Sequence, residues 1–146
     1  LGLMNRIIFL YLVSGLVVQS DMVEPSLAIS RMILSLAITL FFTYAILSSL
    51  KLKTRFVQTM SALIGIGIVF NLLAWPLLQQ LAEDASPEPV AGGVSLLILL
   101  LMTWELMVTA HIYRHALNVK MAQGFALSLG LFFMSITLSQ IIFPGS

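Results

Sequence analysis

Four long apolar runs divide the chain, and short polar or turn-forming segments separate them. The runs extend over Leu27–Leu50, Phe56–Leu81, Val94–Leu117 and Met121–Phe143. Each contains 23 to 26 residues, whereas a helix needs about 20 residues to cross the ~30 Å hydrocarbon core of a bilayer. Each run therefore predicts one transmembrane helix.

A shorter apolar run near the start, "IIFLYLVSGLVV" at 7–18, predicts a further helix over about 3–19. Its length fits either a first transmembrane span or a helix lying in the membrane interface. The segments between the runs are short, so neighbouring helices should be antiparallel. The sequence thus predicts an all-α membrane bundle in one domain, 1–146. It has five transmembrane helices, or four if the first helix is interfacial, with spans at about 3–19, 27–50, 56–81, 94–117 and 121–143.

Composition agrees with burial in lipid. Apolar residues make up 60% of the chain and charged residues 9%, against about 25% charged residues in soluble domains. The mean hydropathy is +1.06. A net charge of +1 gives no support for a nucleic-acid partner. The chain has no cysteine, which excludes disulfides and thiolate metal sites.

The charged residues between the runs predict the orientation of the bundle. With the N-terminus inside, six of the seven basic residues fall on the inner side, and only Arg31 falls on the outer side. The acidic residues outside the runs fall on the outer side. Since basic residues stay on the cytoplasmic side during insertion, we expect an N-in, C-out topology, in a bacterial cytoplasmic membrane.

Small and hydroxyl residues recur at four-residue spacing in three of the runs. Within lipid, helices associate through close backbone approach and interhelical hydrogen bonds, and small residues at this spacing provide both. We therefore expect packing seams at these positions: Ser35, Thr39 and Thr43; Ser61 and Gly65, with Gly67 nearby; Gly124 and Ser128, followed by Ser135 and Ser139.

Glu105 lies in the middle of the fourth run. A charged carboxylate facing lipid at that depth costs at least ~2.5–3.5 kcal/mol, so we expect a side chain that faces protein or is protonated. Asn71, Thr39 and Thr43 lie at depths suitable for a hydrogen bond to it. The favoured interpretation is a structural hydrogen bond between helices, in which case Glu105→Gln should be nearly silent. The alternative is a relay for protons or cations, which glutamine would abolish.

His111 and His115 are four residues apart and so share one face of the fourth helix. Such a pair can hold a divalent metal ion only with one or two further ligands, and the inner side has no carboxylate. Haem would need a second chain, because one helix face cannot supply both sides of the ring. We therefore expect no cofactor and no metal, with His111 hydrogen-bonded inside the bundle.

Basic residues should also form a rim at the inner membrane surface. This inner basic rim comprises Lys51, Lys53, Arg55, Arg114, His115 and Lys120. Clusters of this kind attract anionic headgroups. The rim is suited to anionic lipid or to an acidic partner.

The polar fourth run "WELMVTAHIYRHAL", the "RFVQTMSALIG" entry to the third run and the "ALNVKMAQGFAL" entry to the fifth resemble small bacterial membrane proteins of the Yip1-like type. The resemblance covers most of the chain and rests on hydropathy rhythm. It implies membrane organisation, trafficking or complex assembly, and it carries over no catalytic residue.

We therefore expect a protein that is not an enzyme, because the sequence lacks a nucleophile beside a base and a phosphate-binding loop. The favoured role is an accessory or organising subunit that packs against other membrane subunits, or against itself, in the bilayer. One alternative is a small transporter or ion- or proton-conducting subunit that uses Glu105. Another is a redox subunit that binds haem or quinone through His111 or His115.

The predicted topology can be tested by labelling. Because the chain has no cysteine, single cysteines at Thr54 and Ser86 should react with an impermeant maleimide from opposite sides of the membrane. The basic bias places Thr54 inside and Ser86 outside. Reaction of both from the same side would refute the five-helix topology and its four-helix variant.

Overall fold

A computed structural model describes residues 2–20, 24–83 and 90–145 of the chain. Over these residues the chain folds into five α-helices and has no strand. They are α1 (Gly2–Ser20), α2 (Pro25–Ser49), α3 (Phe56–Glu83), α4 (Val90–Leu117) and α5 (Met121–Ile142), with a single 3-10 turn at Lys53–Arg55 before α3. The predicted all-α bundle is confirmed. The acidic Asp84, Glu88 and the labelling position Ser86 lie outside the described residues.

Four of these helices are long and apolar enough to cross a bilayer. The spanning segments are Ser26–Ser49, Lys53–Leu81, Gly92–Leu117 and Met121–Ile142. Their bounds agree with the four apolar runs to within a few residues. The chain is therefore a membrane protein with several transmembrane helices.

Helix α1 lies along the bundle and packs against α2 and α3. Tyr11 packs on Gly67, where a Cβ would lie 2.9 Å from the Tyr11 ring. One turn further, a Cβ on Gly15 would collide with the Met32 side chain and lie 3.4 Å from the Asn71 amide nitrogen. These contacts advance in the same direction on both helices, from Tyr11 to Gly15 on α1 and from Gly67 to Asn71 on α3. Helix α1 is therefore parallel to α3. Its 19 residues extend about 28 Å. Because α1 is parallel to α3, it lies alongside the transmembrane helices and not perpendicular to them.

The most buried core lies at the end of the bundle that carries Lys51 and Lys120, here called the basic end. It consists of Leu47, Met60, Leu63, Ile64, Tyr113 and Leu117. Tyr113 is 1% exposed, and its hydroxyl oxygen lies 2.9 Å from the Thr43 hydroxyl oxygen. A buried hydroxyl without a partner would cost several kcal/mol in hydrocarbon. Their mutual hydrogen bond thus joins α2 to α4 inside the core.

The turns at the basic end are held by backbone hydrogen bonds and by Arg55. After α2, Lys51 adopts a left-handed φ of 59°, and the Leu52 amide donates to the Leu47 carbonyl across 2.7 Å. This is the Schellman pattern, which satisfies carbonyls at a helix end. Arg55 Nη1 donates to the Ala116 carbonyl, 3.0 Å away, and so ties the turn before α3 to the end of α4. The opposite end, near Glu24 and Glu83, is here called the acidic end.

Helices α4 and α5 approach each other closely at Gly124. A Cβ there would collide with the Ala110 carbonyl oxygen and lie 3.2 Å from the Arg114 amide nitrogen. One turn along α5, the Ser128 hydroxyl donates to the Leu106 carbonyl at 3.0 Å. The seam expected from Gly124 and Ser128 is therefore present.

The seam expected at Ser61 and Gly65 was placed wrongly. A Cβ on Gly65 would meet nothing within 4 Å, and the Ser61 hydroxyl donates to the Val57 carbonyl of its own helix. Gly67 is the close contact instead, because α1 packs on that face of α3.

The α4–α5 contact predicts that Gly124→Ala destabilises the bundle by about 1–3 kcal/mol, as overpacking does in a filled core. The added methyl group would meet backbone atoms, which cannot move aside as a side chain can. Gly130→Ala on the same helix is the matched control, since its Cβ would lie 3.8 Å from the Phe42 ring. Thermal unfolding in mild detergent measures both. Equal melting temperatures for the two variants would contradict the prediction.

Candidate functional site

A partly open cavity of about 280 Å³ lies within the bundle, and residues from all five helices line it. Most of its wall is apolar, and we call it the polar cavity for the hydroxyl and carboxyl side chains that also line it. Its polar lining comprises Tyr11 from α1, Ser35 and Thr39 from α2, Glu105 and Thr109 from α4, and Ser128 and Ser135 from α5. Apolar residues such as Leu63 and Phe132 complete the wall. A cavity of this size can hold several water molecules, since one water needs about 10–15 Å³ of such space.

Glu105 carries the only acidic side chain in the cavity wall. It lies near the middle of α4 and is partly buried. The side chains of Tyr11 and Ser35 line the same cavity as Glu105. The middle of α4 therefore presents its carboxyl to a polar space rather than to lipid, as the cost of a charge in hydrocarbon requires.

The cavity hydroxyls offer acceptors more readily than donors. The Thr39 hydroxyl donates to the Ser35 carbonyl at 2.9 Å, and the Ser128 hydroxyl donates to the Leu106 carbonyl at 3.0 Å. Each hydroxyl has one proton but two lone pairs, so Thr39 and Ser128 present only oxygen lone pairs to a ligand. With the oxygens of Glu105, they suit a species that donates hydrogen bonds, such as a hydronium ion, an ammonium group or water.

A second cavity, of about 320 Å³, adjoins the first and extends between α2 and α5. Ser35, Phe132 and Ser135 line both cavities. The second is also lined by Arg31, near the start of α2, and by Gln140, in the last turn of α5. It therefore leads from the polar cavity toward the acidic end, and we call it the α2–α5 groove.

Of the three expected partners of Glu105, only Thr39 lines the same cavity. Thr43 is fully buried and bonds to Tyr113 instead. Asn71 lies beside Gly15 at the contact of α1 with α3. Thr43 is therefore level with Tyr113, about two helical turns along α4 from Glu105, and Asn71 is absent from the cavity lining.

His111 does not reach the bundle interior. Both His111 and His115 are exposed, and their ring centroids are 4.4 Å apart in an edge-to-face arrangement. The expected hydrogen bond of His111 inside the bundle is therefore wrong. Within the described ranges no group of three or more His, Cys, Asp or Glu side chains could hold a metal ion.

The residues of the inner basic rim are all exposed at the basic end. His115 contacts the ring of His111, and two further rim residues also make contacts within the chain. Arg55 donates to the carbonyls at the end of α4, and the Lys53 ammonium lies 5.6 Å from the centroid of the Tyr44 ring. Lys51, Arg114, His115 and Lys120 remain at the surface of the rim.

Sequence reasoning did not bring Tyr11, Thr109, Ser128 and Ser135 to Glu105. Ser128 and Ser135 are seven residues apart, which places them on one face of α5, but that face was interpreted as a packing seam only. Tyr11 carries the only polar side-chain atom in the run 7–13. A phenol hydroxyl amid apolar residues needs a partner inside the bundle, and this signal could have identified it.

Hydration of the cavity can be tested with single cysteines on α4. Thr109→Cys should react with a small cationic thiosulfonate, because its side chain lines the cavity and water permits thiolate formation. Met107→Cys is the control at similar depth, since Met107 is 44% exposed on the outer surface of the bundle, in contact with lipid. Equal reaction of the two cysteines in proteoliposomes, or none at Thr109→Cys, would contradict a hydrated cavity.

Comparison with known proteins gives no information on the role of the chain. No protein-family model, no curated protein and no solved structure matches it. The resemblance to Yip1-like proteins stays a prediction from the sequence. The features of the chain that bear on its function are the cavity, its polar side chains and the groove beside it.

Proposed function

We propose that the protein binds a proton or a small cation at Glu105 and serves as a small transporter or conducting subunit. The observation that carries this proposal is the cavity in which a carboxyl group meets hydroxyl groups from α1, α2, α4 and α5. Intramembrane carboxyl groups are rare, and those that face a polar space mark ion or proton pathways.

The surroundings of Glu105 favour a relay over a structural hydrogen bond. A structural role needs a fixed partner on another helix, but Thr43 bonds to Tyr113 and Asn71 does not line the cavity of Glu105. The cavity instead has room for water next to the carboxyl group. A hydrated carboxyl group can release and recover a proton, which one sealed in a direct hydrogen bond cannot readily do.

The chemistry of the lining favours a cation over an anion. The hydroxyl protons of Thr39 and Ser128 are used by backbone carbonyls, so these residues present lone pairs to the ligand. No basic residue lines this cavity. A hydronium ion or a protonated amine would find several acceptors there, whereas an anion would face oxygen atoms.

An accessory or organising subunit is the second candidate, and the outer surface of α4 favours it. His111, Arg114 and His115 are exposed near its basic end, beside an exposed apolar surface that includes Trp104 and Met107. Such a mixed surface suits another membrane subunit, a second copy or anionic lipid. The Yip1-like resemblance implies the same role. A haem or quinone role would need another chain to complete the ligands of His111 or His115.

The proposal predicts that Glu105→Gln abolishes proton movement while the fold persists. Glutamine keeps the shape of glutamate but has no proton to release. Purified protein in liposomes that contain a pH-sensitive dye, with a potassium diffusion potential, gives the rate of proton uptake. Glu105→Gln should fall to the rate of empty liposomes, and Glu105→Asp should keep part of the wild-type rate.

The control is Glu24→Gln, because Glu24 is an exposed carboxyl at the acidic end and makes no side-chain cap for α2. It should leave the rate unchanged. Glu105→Leu should lower stability by no more than ~1–2 kcal/mol, as expected for one hydrogen bond within a membrane. If wild type and Glu105→Gln are equally inactive and equally stable, the accessory-subunit role is favoured instead.

A further inference from the structure

Arg31 is the one basic residue that the charge pattern places on the outer side. It lies in the second turn of α2 and is partly buried. Its Nε atom is fully buried and has no hydrogen-bond partner in the described part of the chain. A buried charged donor without a partner is costly, so its retention here needs an explanation that the Glu105 cavity does not supply.

The surroundings of Arg31 change from polar to apolar with depth. In the α2–α5 groove, Arg31 lies level with Ser139 and Gln140, close to the acidic end. Deeper in the groove the lining is mainly apolar, with Leu34, Ile38 and Ile136 beside the hydroxyl groups of Ser35 and Ser135. The end of the groove that carries Arg31 is therefore the more polar one and lies nearer the acidic end of the bundle.

We propose that the α2–α5 groove binds an anionic phospholipid, with its phosphate at Arg31 and part of an acyl chain along Leu34, Ile38 and Ile136. A guanidinium group is planar and donates two parallel hydrogen bonds to a phosphate, which a lysine cannot do. The Gln140 amide and the Ser139 hydroxyl are additional donors. The inference is independent of the role proposed for Glu105.

The charge and shape of the groove select this ligand over others. A cation would be repelled by Arg31. A free phosphate would bind at the polar end of the groove, near Arg31, but would leave the apolar half of the groove exposed to water or lipid. A phospholipid fills both halves, and the groove faces the lipid because Ile136 is 44% exposed at the bundle surface.

Native mass spectrometry of the full chain in detergent tests the proposal. Wild type should retain phosphatidylglycerol better than phosphatidylcholine. Arg31→Gln should weaken phosphatidylglycerol binding about tenfold, the change expected from loss of one charge-assisted interaction. The matched control is Arg6→Gln, which removes an exposed arginine of α1 outside the inner basic rim and should leave this binding unchanged. Equal loss in the two variants, or no preference over phosphatidylcholine in wild type, would overturn the proposal.

Two further experiments distinguish a lipid phosphate from inorganic phosphate and provide a test that does not depend on the folding of Arg31→Gln. Inorganic phosphate at matched concentration should not displace phosphatidylglycerol; displacement on equal terms would overturn the assignment to a lipid. If the melting temperature shows that Arg31→Gln is unfolded, Ile136→Trp should reduce binding by filling the apolar half of the groove. Undiminished binding in a folded Ile136→Trp protein would overturn the proposal. Proton movement should persist in a folded Arg31→Gln protein, which separates this test from that of Glu105.

Discussion

Hydrocarbon offers no hydrogen-bond partner, and this constraint determines where the polar side chains of the bundle lie. Each has to find a partner inside the protein, reach the membrane surface or face a polar space. Thr43 and Tyr113 bond to each other, Ser128 bonds to the backbone of α4, and Arg55 reaches the carbonyls at the end of that helix. The interhelical hydrogen bonds among these are also the specific links between helices, because apolar contact alone gains little in lipid.

The same links leave space in the middle of the bundle. At the basic end the core is filled by large side chains such as Met60 and Tyr113, and Gly124 brings α5 against α4. Toward the acidic end small residues such as Ser35 and Ser135 face one another and do not fill the gap. Glu105 lies five residues along α4 from the close contact at Ala110, so a firmly packed region supports the carboxyl at the edge of an open one.

The sequence predicted what hydropathy can specify and failed where it cannot. Helix number and bounds follow from the length of apolar runs, and Glu105 was recognised because a carboxyl at that depth is costly. The direction in which each helix faces was not predictable, since a helix in lipid is apolar on all sides and its periodicity is weak. Asn71 therefore lies beside Gly15, His111 is exposed, and Thr43 bonds to Tyr113 instead of Glu105. Thr39 and Ser128 present lone pairs as hydrogen-bond acceptors because their protons are donated to backbone carbonyls. Composition does not reveal these backbone hydrogen bonds.

The two adjoining cavities are lined by a carboxyl group and a guanidinium group at different positions along the bundle. Glu105 lies in the polar cavity, Arg31 lies in the groove toward the acidic end, and Ser35 and Ser135 line the space between them. A cation that enters from the acidic end must pass a guanidinium group, and repulsion between like charges is strong where little water screens it. An anionic lipid at Arg31 would neutralise that charge and lower the barrier without touching Glu105. Under the two proposals, a lipid at Arg31 would therefore change the rate of proton movement past the shared wall at Ser35 and Ser135, although each proposal rests on its own residues.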